Sequence, residues 1–135
     1  MIWLTVRFSF EAAHERPEGP QRCRNLHGHG YKLFVTVGGD GGDPLEPDGV
    51  RRIVEAHVLR ALHNRNLNEI LPDVSLEGVT RWIWGRLRGK IPCLWEIRLF
   101  ETPDVCIAYR GEGDGGNPTA GLTPPAPTIP STPQG

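Results

Sequence analysis

The feature that most constrains this chain is a short run, Cys23-Arg24-Asn25-Leu26-His27-Gly28-His29-Gly30, with one more histidine, His14, upstream of it. After Gly30, the segment Tyr31-Lys32-Leu33-Phe34-Val35-Thr36-Val37 is aromatic and β-branched and alternates in polarity, the pattern of a strand. A strand that opens at His27 carries His27 and His29 on one face, because strand side chains repeat every two residues. Trp3 to Phe10 reads as a second strand, ending shortly before His14. Pairing the two strands sets His14 opposite the other two histidines. Three neutral imidazoles suit Zn²⁺, at Zn–N distances of about 2.0–2.1 Å, and leave a fourth tetrahedral position open. The first expectation is therefore an open zinc site made by His14, His27 and His29.

Length and charge narrow the setting. A chain of 135 residues supports one domain with one core. Fifteen basic against sixteen acidic residues leave a net charge of −1, so no footprint for nucleic acid or an anionic membrane is expected. Arg16, Arg22 and Arg24 do gather near the histidine run. A solvated loop explains them most simply, although a phosphorylated ligand would profit from such a patch. Cys23, Cys93 and Cys106 are an odd set, and Met1-Ile2-Trp3 leads straight into a strand without a basic leader or a membrane-length apolar run. A cytoplasmic chain with free thiols is expected.

In chain order, the first strand covers residues 2 to 13, and a Pro-, Gly-, Arg- and Glu-rich loop carries Cys23 to the second strand at about His27 to Val37. Gly38 to Pro44 ends that strand. Val50, Ile53, Val54, Val58, Ala61 and Leu62 recur at helical spacing, with Asp48 as the expected N-cap and His57 on the apolar stripe as a core histidine. Asn64 to Asn68 breaks this helix. A second helix runs from Ser75 or Leu76 to Arg88, with Leu76, Val79, Ile83 and Leu87 inward and Trp82 and Trp84 flanking as packing. Cys93 to Glu101 and Cys106 to Tyr109 complete the set as strands, in which Cys93 and Cys106 are expected to be small buried hydrophobes. The result is an α+β domain over residues 1–110, with two helices on one face of an antiparallel sheet. From Gly111 to Gly135, six glycines and six prolines in 25 residues leave too little apolar content to fold, so a disordered tail is expected.

Phe10-Glu11-Ala12-Ala13-His14, followed by Cys23-x-x-x-His27-Gly28-His29, resembles the signature of the 6-pyruvoyltetrahydropterin synthase family, over about Phe8 to Arg110. The three-residue gap between Cys23 and His27 is most similar to its bacterial branch, the 6-carboxytetrahydropterin synthases of the queuosine and 7-deazapurine pathway. The resemblance implies the ββααββ arrangement called the T-fold, assembled as trimers or dimers of trimers. It also implies a zinc-dependent lyase acting on 7,8-dihydroneopterin triphosphate. Cys23 then removes a proton from the substrate side chain. Glu101, in Glu101-Thr102-Pro103, anchors the pterin, with Thr102 beside it; Ser75 either binds substrate or caps the second helix. One stretch departs from the family, whose Leu-Asp-His precedes two residues and Leu-Asn. Here Leu62-His63-Asn64-Arg65-Asn66-Leu67-Asn68 puts His63 at the aspartate position and Asn64, which cannot carry a proton, at the histidine position. His63 is therefore expected to serve as the proton relay, with Asn64 orienting it. Glu46-Pro47 likewise replaces the family's Asp-Phe. Two alternatives remain open: formation of 6-pyruvoyltetrahydropterin, or a paralogue that binds zinc and pterin without turnover. A generic three-histidine hydrolase leaves Glu101-Thr102-Pro103 unexplained.

Overall fold

Buried Val6, Phe8, Phe10 and Ala12 alternate with exposed Thr5, Arg7, Ser9 and Glu11, and this alternation makes β1, Ile2–His14. It pairs antiparallel with β2, His27–Gly39, in a register that runs unbroken from Ile2 opposite Gly39 to His14 opposite His27. The structure, a computed structural model, describes residues 2–39 and 46–112; the expected disordered tail falls almost wholly outside them. β2 continues past Val37 because glycine is needed there. A Cβ on Gly38 would lie 2.4 Å from the Trp3 ring, and its N–H donates to the Cys93 carbonyl at 3.1 Å.

β4 (Leu94–Thr102) pairs antiparallel with β2, and β5 (Val105–Tyr109) with β4. The stretch read only as a helix break also forms a two-residue strand, β3 (Arg65–Asn66), parallel to β1 at Ala12 and Ala13. The described residues thus form a five-stranded sheet, ordered β3-β1-β2-β4-β5. Hydrogen bonds to the β1 side hold this path, the Asn64 N–H donating to the Glu11 carbonyl at 2.6 Å and Asn68 bonding Glu15. Asn64 takes a left-handed φ of 59°, which its short polar side chain tolerates.

The first helical rod comprises α1 (Pro47–Val54), a π-helical segment (Glu55–Leu59) and α2 (Arg60–Leu62). Its N-cap is Glu46, with Pro47 in the first turn; Asp48, the expected cap, lies inside the helix and pairs with Arg51. The wide π turn keeps Val54, Val58 and Leu62, four residues apart, directed at the sheet, where a 3.6-residue turn would let them drift. It leaves His57 half-buried at the edge instead of in the core. α3 (Leu76–Leu87) buries Leu76, Val79, Thr80, Ile83 and Leu87. Both rods lie on the face that carries Leu33, Val35, Ile97 and Leu99, all fully buried. Truncating any of these leucines to alanine should cost about 2–5 kcal/mol. Cys93, in a turn at φ 58° ahead of β4, and Cys106 on β5 are both exposed, contrary to the buried positions expected of them. No helix among the described residues is long and apolar enough to cross a membrane.

A three-histidine candidate metal centre

Where β1 ends and β2 begins, the register sets His14 against His27 and Ala12 against His29. Alternation turns all three imidazoles to the same side, and their ligand atoms lie within 4.8 Å of one another. The rings meet edge to face, with centroids 4.6 Å apart for His14 and His27, 4.9 Å for His14 and His29, and 4.7 Å for His27 and His29. His14 is 1% exposed.

Two backbone carbonyls settle which nitrogens face inward. His14 Nδ1 donates to the Val74 carbonyl at 2.8 Å, and His27 Nδ1 donates to the Asn25 carbonyl at 2.7 Å. A carbonyl only accepts, so each Nδ1 holds the proton and each neutral ring presents a bare Nε2. Those two Nε2 atoms stand 3.0 Å apart. His29 Nε2 is buried with no hydrogen-bond partner. Burial also holds the pKa of His14 and His29 below the ordinary value, against the raising effect of Glu101 on both and of the Val74 carbonyl on His14. Lone pairs pinned face to face repel unless a cation sits among them. The donor set fits a metal that takes neutral imidazoles, zinc above all.

Local sequence explains why the Val74 carbonyl is in place. The Ser75 hydroxyl and then the Ser75 N–H, the latter donating to Asp73 Oδ1 at 3.0 Å, hold the Asp73 carboxyl below its usual range. Ser75 Oγ accepts from the Gly78 N–H at 3.1 Å and caps α3. A Cβ on Gly78 would lie 2.3 Å from the Asp73 carbonyl, so only glycine permits this turn. Ser75 therefore performs the capping role that was one of its two sequence readings. Neither carbonyl could have been read from the sequence, since every residue carries one.

Glu101, near the end of β4, points Oε1 at His14 Nε2 (3.3 Å) and His29 Nε2 (3.2 Å). Thr102 follows across a bulge and pairs with Val105. Cys23 ends a 3-10 turn, Gln21–Cys23, and is half-buried. Its carbonyl accepts from the Arg16 N–H at 2.8 Å, which ties the cysteine loop to the chain just past His14. Below His29 on the same face lies Tyr31, fully buried, stacked on Phe10 at 4.9 Å, with its hydroxyl unpartnered. Burial, then Glu101, pushes the Tyr31 pKa far up, so it remains a neutral phenol. The period of two that singled out His27 and His29 also points to Tyr31.

His63 stands elsewhere. The helix ends at Leu62, His63 is extended (φ −65°, ψ 129°), and its Nδ1 accepts from the Glu11 N–H at 3.1 Å. Asn64, by contrast, lines a hollow of about 510 Å³ that also holds His29, Glu11 and Arg65. Within one chain, His14, His27, His29 and Glu101 come together, whereas no hydrogen bond joins His63 to Cys23.

Residues 3–112 match the family profile described as 6-pyruvoyl tetrahydropterin synthase. The chain is 31% identical to a 6-pyruvoyl tetrahydrobiopterin synthase of Pongo abelii over 65% of this chain and 68% of that protein. It is 28% identical to the 6-carboxy-5,6,7,8-tetrahydropterin synthase of Synechocystis sp., covering 80% and 93%. It is 33% identical to the dihydroneopterin monophosphate aldolase of Pyrococcus furiosus, covering 72% and 91%. Among solved structures, the 6-pyruvoyl tetrahydropterin synthase of Caenorhabditis elegans superposes with a TM-score of 0.74 at 21% identity, over 82% of this chain and 96% of that one, a likeness of fold.

Proposed function

The chain belongs to the 6-pyruvoyl tetrahydropterin synthase family, and from that premise we propose that it is a zinc-dependent lyase converting 7,8-dihydroneopterin triphosphate to 6-carboxy-5,6,7,8-tetrahydropterin, as in queuosine and 7-deazapurine biosynthesis. The observation that carries the reading is the gap among the three histidines' ligand nitrogens, with the Glu101 carboxylate at its mouth.

His14, His27 and His29 would hold the metal, which supplies Lewis acidity toward side-chain oxygens of the substrate. The remaining work belongs to the chain. Glu101 accepts from the ring N–H and the 2-amino group of the pterin, two donors that one carboxylate spans. Thr102 lies next to it on the rim, while the Ser75 oxygen caps α3 and its O–H donates to the Asp73 carboxylate. Cys23 takes a proton from the substrate side chain. His63 returns that proton, and to do so its ring must first leave the Glu11 N–H, because an Nδ1 that accepts there cannot also carry a proton.

A second reading, release of 6-pyruvoyltetrahydropterin, is favoured by the orangutan relative. A third, zinc and pterin binding without turnover, is favoured by Asn64 in the hollow beside His29. Incubating the zinc-loaded protein with 7,8-dihydroneopterin triphosphate and weighing the products separates the three. The carboxy product is expected. The pyruvoyl product, or none, replaces this reading with the second or the third. Glu101→Gln should weaken pterin binding by about 10–100-fold, the loss of a charge-assisted pair; unchanged affinity in calorimetry would return Glu101 to an ordinary rim charge.

A further inference from the structure

We propose that Glu101 is a fourth ligand of the metal centre, closing it while no pterin is bound and withdrawing when a pterin ring takes the carboxylate. This deepens the lyase reading and rests on it.

Glu101 is an anion in a costly position. Its side chain is 18% exposed, and its ion-pair partners among the described residues are two histidines, His14 Nε2 at 3.3 Å and His29 Nε2 at 3.2 Å, both to Oε1. Neither contact is aligned as a hydrogen bond. His29 Nε2 has no hydrogen-bond partner although the oxygen is so near. His14 carries its proton on Nδ1, and its Nε2 faces His27 Nε2 at 3.0 Å. A carboxylate oxygen set against two bare nitrogens is repelled by both lone pairs, and a mostly buried carboxylate is costly without a cation. One cation among these atoms removes both penalties.

The spacing agrees. Donors about 2.0–2.2 Å from a tetrahedral Zn²⁺ stand about 3.3–3.6 Å from one another. Oε1 lies 3.2 and 3.3 Å from two of the nitrogens, close to the separation of neighbouring corners. Corner positions also explain the poor alignment, because each lone pair points at the centre of the tetrahedron and not at the next ligand. Three imidazoles and one carboxylate make a complete set of four protein ligands, the arrangement of a closed site.

The same carboxylate cannot stay there and hold a pterin. On a pterin the N–H and 2-amino donors lie on one ring, and the side chain leaves from the other. With side-chain oxygens directed at the histidines, the donor edge lies a bicyclic ring away, so Glu101 must turn outward to reach it. Its backbone position suits that movement. β4 and β5 pair at Phe100 with Cys106 and at Thr102 with Val105, with a register shift between them that leaves Glu101 out of the ladder. Bulged residues are where a strand re-aims a side chain. Pterin capture and opening of the fourth position are then one event.

The test uses the full-length protein and reads metal binding, not turnover. Zinc affinity is measured by competition with a chelator, and the ligand set by the visible spectrum of the Co²⁺-loaded protein. Glu101→Gln keeps the shape and loses the charge; it should bind zinc at least about tenfold more weakly and give a Co²⁺ spectrum unlike the wild type. In the wild type, 7,8-dihydropterin, which has the donor edge but no side-chain oxygens, should move the Co²⁺ spectrum toward that of the variant. By linkage, zinc and 7,8-dihydropterin should weaken each other's binding to the wild type by one common factor, about 5–150-fold, a readout that needs no variant to fold. Equal zinc affinity and identical Co²⁺ spectra in wild type and Glu101→Gln overturn the proposal. So does a thiolate-to-cobalt charge-transfer band that vanishes in Cys23→Ala, which gives the fourth position to Cys23. Zinc affinity unmoved by bound 7,8-dihydropterin also overturns it, while leaving the pterin reading standing. If 7,8-dihydropterin binds no form of the protein, the lyase reading falls, and weaker zinc binding with an altered Co²⁺ spectrum in Glu101→Gln still upholds the fourth ligand.

Discussion

At the scale of single residues, the site is decided by which imidazole nitrogen is bare. Val74 and Asn25 hold the Nδ1 protons of His14 and His27, so the metal-facing nitrogens are fixed before any metal arrives. His27→Ala removes one ligand and leaves the opposing Nε2 of His14 without its counterpart. Zinc occupancy is expected to be near one per chain in the wild type and to fall to a small fraction in that variant, and full retention by metal analysis would refute the ligand set. The same residues give a pH dependence whose sign is fixed. Burial, the largest cause, holds His14 and His29 below the ordinary histidine value of about 6.5. Below that value the unfolded chain takes up protons that the folded chain refuses, so stability falls as pH drops. Above it, neither state is protonated and the effect vanishes. Thermal melts of the metal-free protein should show a loss between about pH 7 and pH 5.5, and a smaller one in His29→Gln; equal losses would show that His29 is not the group responsible. Glu101 was singled out by the family resemblance of Glu101-Thr102-Pro103, whereas the three histidines were legible because their spacing along strands is itself the geometry. The carbonyls that orient them were not, since they come from chain neighbours or from residues 60 positions away that carry no distinguishing side chain.

At the scale of elements, the least legible segment is 63–68. Three asparagines signalled that the helix must stop, but not that the chain would then be laced onto β1. Asn68 Oδ1 accepts from the Glu15 N–H at 2.9 Å and its Nδ2 donates to the Glu15 carbonyl at 3.1 Å, reproducing with one side chain what a further strand residue would offer. The Asn64 N–H donates to the Glu11 carbonyl, and His63 accepts from the Glu11 N–H. These bonds clamp both ends of the stretch that delivers His14. Sequence periodicity cannot see such a clamp, because it is set by side-chain reach across 53 residues rather than by spacing along either segment. Asn68→Ala removes two exposed hydrogen bonds and should cost about 1 kcal/mol, a melting shift of a few degrees. Because Glu15 adjoins His14, zinc affinity should fall with it; Asn68→Ala that melts lower yet binds zinc as tightly as wild type would confine the clamp to a role in folding. The π-helical turn was equally hidden. Its evidence in the sequence, three apolar residues spaced by four, is indistinguishable from an ordinary stripe until the sheet beneath it is known.

At the scale of the whole molecule, the sheet ends in two strand edges that the described chain does not cover. β3 and the His63 and Asn64 contacts to Glu11 shield β1 only from Glu11 to Ala13, so the stretch from Ile2 to Phe10 keeps a row of unpaired backbone groups, and β5 does the same at the far side. Ile2 at 72% and Val105 at 52% exposed are the large apolar side chains left most open on those two edges, alongside Leu26 in the cysteine loop. Long open edges invite pairing with another chain, and natural sheets either blunt them or join them. β1 carries no proline or bulge that would blunt it. A copy of the same chain satisfies both edges when β1 of one protomer meets β5 of the next, a heterologous contact that must close into a ring to leave no edge over. Trimers, singly or stacked in pairs, are therefore the proposed assembly. Light scattering on the purified protein should give three or six times the 15.0 kDa chain mass. Replacing Ile2 and Val105 together by lysine adds like charges to both edges of every joint and should shift the mass toward the monomer, with zinc content falling only if neighbouring protomers help to hold the site. A wild-type mass of one chain at micromolar concentration would leave the edges open and end the ring proposal.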